Sequence, residues 1–240
     1  MKELYVVVFV TLLVVSTAFS QGSYQALYEK FVRYRDSYDV QDMKNLIDEL
    51  EKLADKDCKL YTLLADAYVE YTLWGAPDDV DKKAMYEKAI EYADKAIELN
   101  ENYAYAYFVK GAAIGRLAQY AGIVKSLFLL RDFDKSLKKA IELDPKCFRA
   151  YVAMGMRYRD VPWPMRSYKK AEEYLKKAIE IEPKYINSYL ELGILYEVWN
   201  KRDKAIEMFE KVLEMPPMKG FTALGLEAKE TAKEHLKKLK

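Results

Sequence analysis

The sequence predicts an all-α chain, a solenoid of elongated helical hairpins closed by a C-terminal capping helix. Three observations carry this. Four segments align without gaps: KAIELN from Lys95, KAIELD from Lys139, KAIEIE from Lys177 and KVLEMP from Lys211. Small residues recur in register where two helices of a pair would cross. Finally, residues 225–239 place Ala228, Ala232, Leu236 and Leu239 on one stripe with charge elsewhere, the form of a helix that caps a solenoid end.

The opening residues, MKELYVVVFVTLLVVSTAFSQG, stand apart from this pattern. Lys2 precedes an apolar run from Leu4 to Val15, and Ala18 and Ser20 are small where a signal peptidase inspects its substrate. This predicts a signal peptide over residues 1–20, cleavage before Gln21 and an exported, periplasmic protein with one domain over 21–240. The alternative is an N-terminal membrane anchor, although Leu4 to Phe19 falls short of the roughly 20 residues that cross a bilayer. Residues 24–55 then read as one degenerate helix pair.

Four units follow, at about 58–101, 104–145, 148–183 and 186–217. In the last, Tyr189, Leu192, Gly193, Tyr196, Ala205, Phe209 and Pro217 stand in order. Gly193 and Ala205 are small because two helices cross closely there, and Tyr196 and Phe209 fill the space beside the contact. Pro217 ends the second helix. The preceding unit repeats the scheme with Tyr151, Gly155, Tyr158, Ala171, Leu175 and Pro183, and the one before it with Tyr107, Gly111, Phe133, Leu137 and Pro145. The first unit is looser: Tyr61, Ala65, Tyr68 and Ala89, with Glu101 in the proline position.

From the first small position to the second is 12 residues in the last unit (193 to 205), but 24, 22 and 16 in the three before it. The extra residues fall at the turn inside each hairpin, and stacking aligns those turns along one edge. Trp74 in EYTLWGAPDDVDKK, Phe128 in YAGIVKSLFLLRD and Trp163 in VPWP are thus expected to lie close together. Two readings stay open: these side chains cover one another, or they line an apolar cleft. YAGIVKSLFLLRD is expected as a helical extension beyond Gly122. Pro162 is expected to stop its helix, and Pro164 to sit just before or within the first turn of the next. APDDVD and RDFD lack a calcium loop's glycine and distal Glu, and read as helix N-caps.

Other chemistry is scarce. With 39 Lys+Arg against 38 Asp+Glu the chain has no global field for nucleic acid. His235, the only histidine, is expected in solvent on the terminal helix. Cys58 and Cys147 occupy similar places two repeats apart and are expected as unbonded, mostly buried thiols. No nucleophile, metal or phosphate-binding pattern is present, so a non-enzyme without cofactor or metal is expected.

The 34-residue spacing between the last two aligned segments is the period of the tetratricopeptide repeat, and the last unit resembles that family almost position for position. The resemblance implies a concave groove lined by the first helix of each pair, used to bind a protein partner. Mapped onto this sequence, that face carries Tyr105, Phe108 and Arg116, then Arg149, Met156 and Arg159. Three arginines among apolar neighbours could clamp a carboxylate, or pair internally with Asp66, Glu70 and Glu197. With export and stretched hairpins added, the chain resembles the T-components of tripartite ATP-independent periplasmic (TRAP) transporters. That resemblance implies a periplasmic solute-binding protein as partner, an apolar or carboxylate ligand, and homo-oligomers. The eukaryotic regulators of microtubule dynamics share a similar stretched repeat, but export argues against their role. The alternative function is a general protein-interaction scaffold in cell-envelope assembly.

Overall fold

A computed structural model describes residues 24–240 apart from 78 and 79. The N-terminal run and its cleavage site lie outside the described residues. Helix α1 covers residues 24–37. It is followed by α2 Val40–Glu51, α3 Cys58–Trp74, α4 Lys82–Leu99, α5 Ala104–Leu117 and α6 Ile123–Leu143. Then come α7 Phe148–Asp160, α8 Tyr168–Ile181, α9 Ile186–Val198, α10 Arg202–Glu214 and α11 Thr222–Leu239. No strand occurs among the described residues. The pairs α3/α4, α5/α6, α7/α8 and α9/α10 are the four repeat units, and α1/α2 the degenerate pair before them. The fold is the tetratricopeptide solenoid the repeat implied.

Local chemistry sets the helix starts. Asp39, Asp57, Asp81 and Ser167 each accept a hydrogen bond from a first-turn backbone N–H of α2, α3, α4 and α8. The small positions are small for the reason expected. A Cβ on Gly111 or Gly155 would stand 2.5 Å from Leu137 or Leu175, and one on Gly193 2.7 Å from Phe209. The residue pressed against each glycine is therefore the large one a turn beyond the matching position of the second helix, which is Ala171 and Ala205 in the last two units and Phe133, packed on Gly115, in the unit before them.

Three adjoining cores run along the solenoid. Phe31, Met43, Leu46 and Leu50 of α1 and α2 bury against Leu64 and Tyr68. Phe108, Val109, Leu137 and Met154 fill the middle. Leu175, Leu195, Phe209 and Val212 pack beneath Ala228, Ala232 and Leu236 of α11, which caps the end and begins three residues before the expected 225.

Several expectations need correction. RDFD is not an N-cap: it lies inside α6, which extends to Gly122 as the helical extension reading required, and Asp134 there bonds Arg157 at 2.7 and 2.8 Å. Pro162 does follow the end of α7, but Pro164 precedes α8 by a full turn, and Ser167 supplies the cap. His235 is half-buried rather than free in solvent. α11 lays it on Phe209, ring centroids 4.9 Å apart, with Nδ1 against Glu197. Cys58 and Cys147 are free, as expected, but half-buried rather than enclosed.

Candidate functional site

The inner face of the solenoid is formed by α3, α5, α7 and the start of α9. Asp66 and Glu70, one turn apart on α3, point into it and are buried, at 1 % and 5 % exposure. From α5, the Tyr105 hydroxyl donates to Asp66 at 2.5 Å. From α7, Arg149 donates to Tyr105 and to Glu70, each at 3.1 Å, and stands 3.9 Å from Asp66. Its guanidinium lies between the rings of Phe108, at 4.6 Å, and Phe221, at 5.4 Å.

Phe221 belongs to the connection between α10 and α11, and that connection is seated in the groove. Its ring meets Tyr185 edge-on at 5.2 Å and lies 4.0 Å beneath the guanidinium of Arg35 from α1. Arg35 Nε donates to the Gly220 carbonyl at 2.9 Å, and the Thr222 N–H donates to Asp36 at 2.7 Å. One turn further along α11, Glu227 accepts from Tyr38 at 3.1 Å. Gly220 has φ +86°, so the turn needs a residue free to adopt that conformation. A void of only about 10 Å³ remains among Tyr185, Ile186, Met218 and Phe221. The seat is filled.

The charges in this seat are set by burial and pairing together. Burial pushes the Glu70 carboxyl above its ordinary value, and Asp66 adds to the rise while Arg149 opposes it. Burial alone would lower Arg149, but Tyr105, Asp66 and Glu70 outweigh it and keep the guanidinium charged. Burial also raises Tyr105, so its phenol stays a donor. Asp36 goes the other way. Burial would raise it, and the Thr222 hydroxyl and N–H outweigh that to hold it below the ordinary value.

Of the groove residues read from the sequence, the fold brings together Tyr105, Phe108 and Arg149. Arg116 is half-buried on α5, and its charge acts on Glu70 and Tyr86. Met156 packs into the C-terminal core. Arg159 is buried away from this centre, bonded to Asp160 at 2.6 and 2.9 Å and to Glu191. The expected carboxylate clamp is thus engaged from within at Arg149 and Arg159, the first by Asp66 and Glu70 as in the internal-pairing reading. Glu197 instead faces His235. Arg35, Asp36, Tyr185 and Phe221 carried no signal in the sequence, because none occupies a repeat position on the groove-lining helices.

The hairpin tips do run along one edge. Tyr86 and Tyr120 approach to 6.0 Å, Lys125 reaches Glu87 at 3.6 Å, and Tyr168 meets Trp199 at 5.8 Å. Trp74 is stacked on Tyr38 at 4.9 Å. Phe128 is 63 % exposed and Trp163 81 % exposed, so Trp163 has almost no wall around it and is not covered by its neighbours. A depression of about 280 Å³ between Tyr151, Tyr158 and Tyr174 includes none of the three. Among the described residues no group of three His, Cys, Asp or Glu is placed to hold a metal.

Comparison with known proteins bears on both halves of the chain. The family described as regulator of microtubule dynamics protein 1-3 matches residues 27–161, more than half of the sequence. The tetratricopeptide repeat matches residues 163–185 and 186–217. Regulator of microtubule dynamics protein 1 of Bos taurus is 25% identical over 155 residues, which is 63% of this chain and 43% of that protein. The Mus musculus protein of the same name is 24% identical over 63% of this chain and 45% of its own length. The chain spans less than half the length of these relatives. Among solved structures, a thermophilic TPR protein of Thermus thermophilus superposes with a TM-score of 0.66 at 18% identity, covering 90% of this chain and 98% of that one. MamA superposes at 0.51 with 23% identity, over 81% and 92%. These structures share the fold. The two most stretched hairpins, which helped suggest a transporter T-component, lie in the region matched by the microtubule-regulator family, and none of the relatives named is a transporter component.

Proposed function

Because the chain belongs to the regulator of microtubule dynamics protein 1-3 family and is built of tetratricopeptide repeats, we propose that it is a non-catalytic scaffold binding an extended segment of a protein partner on its inner face. One observation carries this reading: the chain's own segment Met218–Thr222 occupies the groove through contacts a bound peptide would make. A backbone carbonyl is held by Arg35, a backbone N–H by Asp36, and an aromatic side chain lies between two guanidinium groups. These are generic peptide contacts with one aromatic anchor. The relatives are named for microtubule dynamics, and this reading needs no microtubule.

A partner segment must displace or mimic the resident one. We expect a synthetic peptide of residues 216–223, PPMKGFTA, to bind full-length Phe221→Ala protein about tenfold more tightly than wild type, where the seat is filled. Absence of binding to a Phe221→Ala protein that circular dichroism shows folded would refute the groove as a peptide site. Export enters as part of the same proposal, resting on Leu4 to Phe19 alone. A mature N-terminus at Gln21 supports it, and retention of residues 1–20 on the isolated protein contradicts it. A solute-binding partner finds no support among the relatives, and the scaffold reading does not require one.

A further inference from the structure

We infer that the hairpin-tip edge is a docking surface for an anionic lipid membrane, centred on the α7–α8 loop. Among the described residues nine large apolar side chains stay exposed, and six of them, Tyr120, Leu127, Phe128, Trp163, Met165 and Val198, belong to the tips of the last three hairpins. A stable monomer has no need to leave a tryptophan 81 % exposed at a loop apex.

Charge selects the occupant. The loop and first turn after Asp160, residues 161–170, hold Arg166, Lys169 and Lys170 and no acid. All three cations are exposed. Asp160, the nearest acid in sequence, is already held by both nitrogens of the Arg159 fork. On one flank Lys125, which stands 3.6 Å from Glu87, lies beside Leu127 and Phe128 in sequence. On the other, Lys201, Arg202 and Lys204 outnumber Asp203 and Glu197 next to Val198, and Glu197 faces His235. Tyr168 meets Trp199 between the α7–α8 and α9–α10 tips, and Arg157 bonds Asp134 of α6 while lying 3.5 Å from the Met165 carbonyl of the α7–α8 loop, so these patches form one strip along the edge.

Of the strip's side chains only Lys170 borders the depression between Tyr151, Tyr158 and Tyr174; the exposed apolar ones do not line it, which does not suit capture of a peptide. Trp, Tyr and Phe beside Lys and Arg is the composition of membrane interfaces, where rings sit at headgroup depth and each cation is drawn to an anionic surface. The first tip carries Asp78, Asp79 and Asp81 against Lys82 and Lys83 in sequence, so its charge differs from that of the strip it adjoins.

The test uses the full chain with vesicles of phosphatidylcholine alone and with phosphatidylserine added. Insertion of the N-terminal apolar run would act on both, so the quantity read is the gain caused by phosphatidylserine. We expect a gain that falls about tenfold in Phe128→Ala/Trp163→Ala and is lost in high salt. Trp163→Phe should also abolish the vesicle-induced blue shift of tryptophan emission, since Trp74 and Trp199 are partly buried and contact other side chains. Equal flotation on both vesicle types overturns the inference, as does an unchanged gain in the double variant or a blue shift that survives Trp163→Phe. An edge that takes an acidic protein instead would give the first of these results.

Discussion

Arg149→Met removes the cation from the inner face while keeping a side chain of similar length. The variant leaves Glu70, 5 % exposed, without the hydrogen bond it accepts at 3.1 Å, and Asp66, 1 % exposed, with Tyr105 alone. Breaking a buried ion pair by deleting one partner costs about 3–5 kcal/mol. In a chain of this size that lowers the melting temperature by roughly 10 °C. The cost must depend on pH, and the sign is fixed. Glu70 is already raised above its ordinary 4.5 in the folded protein, and loss of Arg149 raises it further. The folded state then holds a proton that the unfolded state has released, so stability falls as pH rises from about 4.5 through the folded value, by up to about 1.4 kcal/mol per pH unit. Urea denaturation at pH 7 and pH 5 reads both effects: a large deficit at pH 7, reduced at pH 5. Adding Glu70→Gln should recover part of the loss at pH 7. A deficit below about 1 kcal/mol at pH 7, or one of equal size at both pH values, would refute the placement of Arg149 as partner to two buried carboxylates.

Glu51 accepts from Tyr68 at 2.6 Å, Lys88 at 2.9 Å and Tyr92 at 3.0 Å, so Glu51→Ala should cost about 2 kcal/mol at pH 7 by chemical denaturation. Burial would raise this carboxyl, but those three donors hold it below its ordinary 4.5, so the wild-type advantage over Glu51→Gln should shrink as pH falls below about 4.5. Trp163→Ala should leave stability within about 0.5 kcal/mol of wild type, because the ring touches little; a melting point lowered by several degrees contradicts its exposure. Gly155→Ala places a Cβ 2.5 Å from Leu175 Cγ and 3.3 Å from the Ala171 carbonyl, and should cost about 1–3 kcal/mol in the same denaturation assay. Thiol titration of the air-oxidised, denatured monomer should count two free thiols, Cys58 and Cys147.

What the sequence disclosed and what it hid divide along a physical line. The repeat units were legible because Gly111, Gly155 and Gly193 answer to contacts within one hairpin, where spacing along the chain fixes who meets whom. The stretched hairpins were legible by subtraction of one period from another. The inner face was half legible: Tyr105, Phe108 and Arg149 follow from the repeat position. Asp66 and Glu70 could be named as partners of Arg149 but not decided on, because they reach it from two repeats away and a ligand carboxylate would have served equally. Phe221 was invisible, since a connection out of register gives no signal for the surface it will cover. Reading RDFD as a cap failed because acidic residues serve equally as ion-pair partners on a helix flank. The microtubule-regulator resemblance was set aside on an N-terminal segment that says nothing about the fold behind it.

The contacts from α1 to the α10–α11 connection have a consequence for how the chain unfolds. In an open repeat array each unit touches only its neighbours, so end units fray independently and the array folds by local steps. Here Arg35, Asp36 and Tyr38 bond Gly220, Thr222 and Glu227 across more than 180 positions of sequence. Opening α1 therefore uncovers the start of α11 as well, and the two ends should exchange their amide hydrogens as one cooperative unit. Closing that ring is a non-local event, which raises the mean sequence separation of contacts and slows folding relative to an unclosed solenoid of the same length.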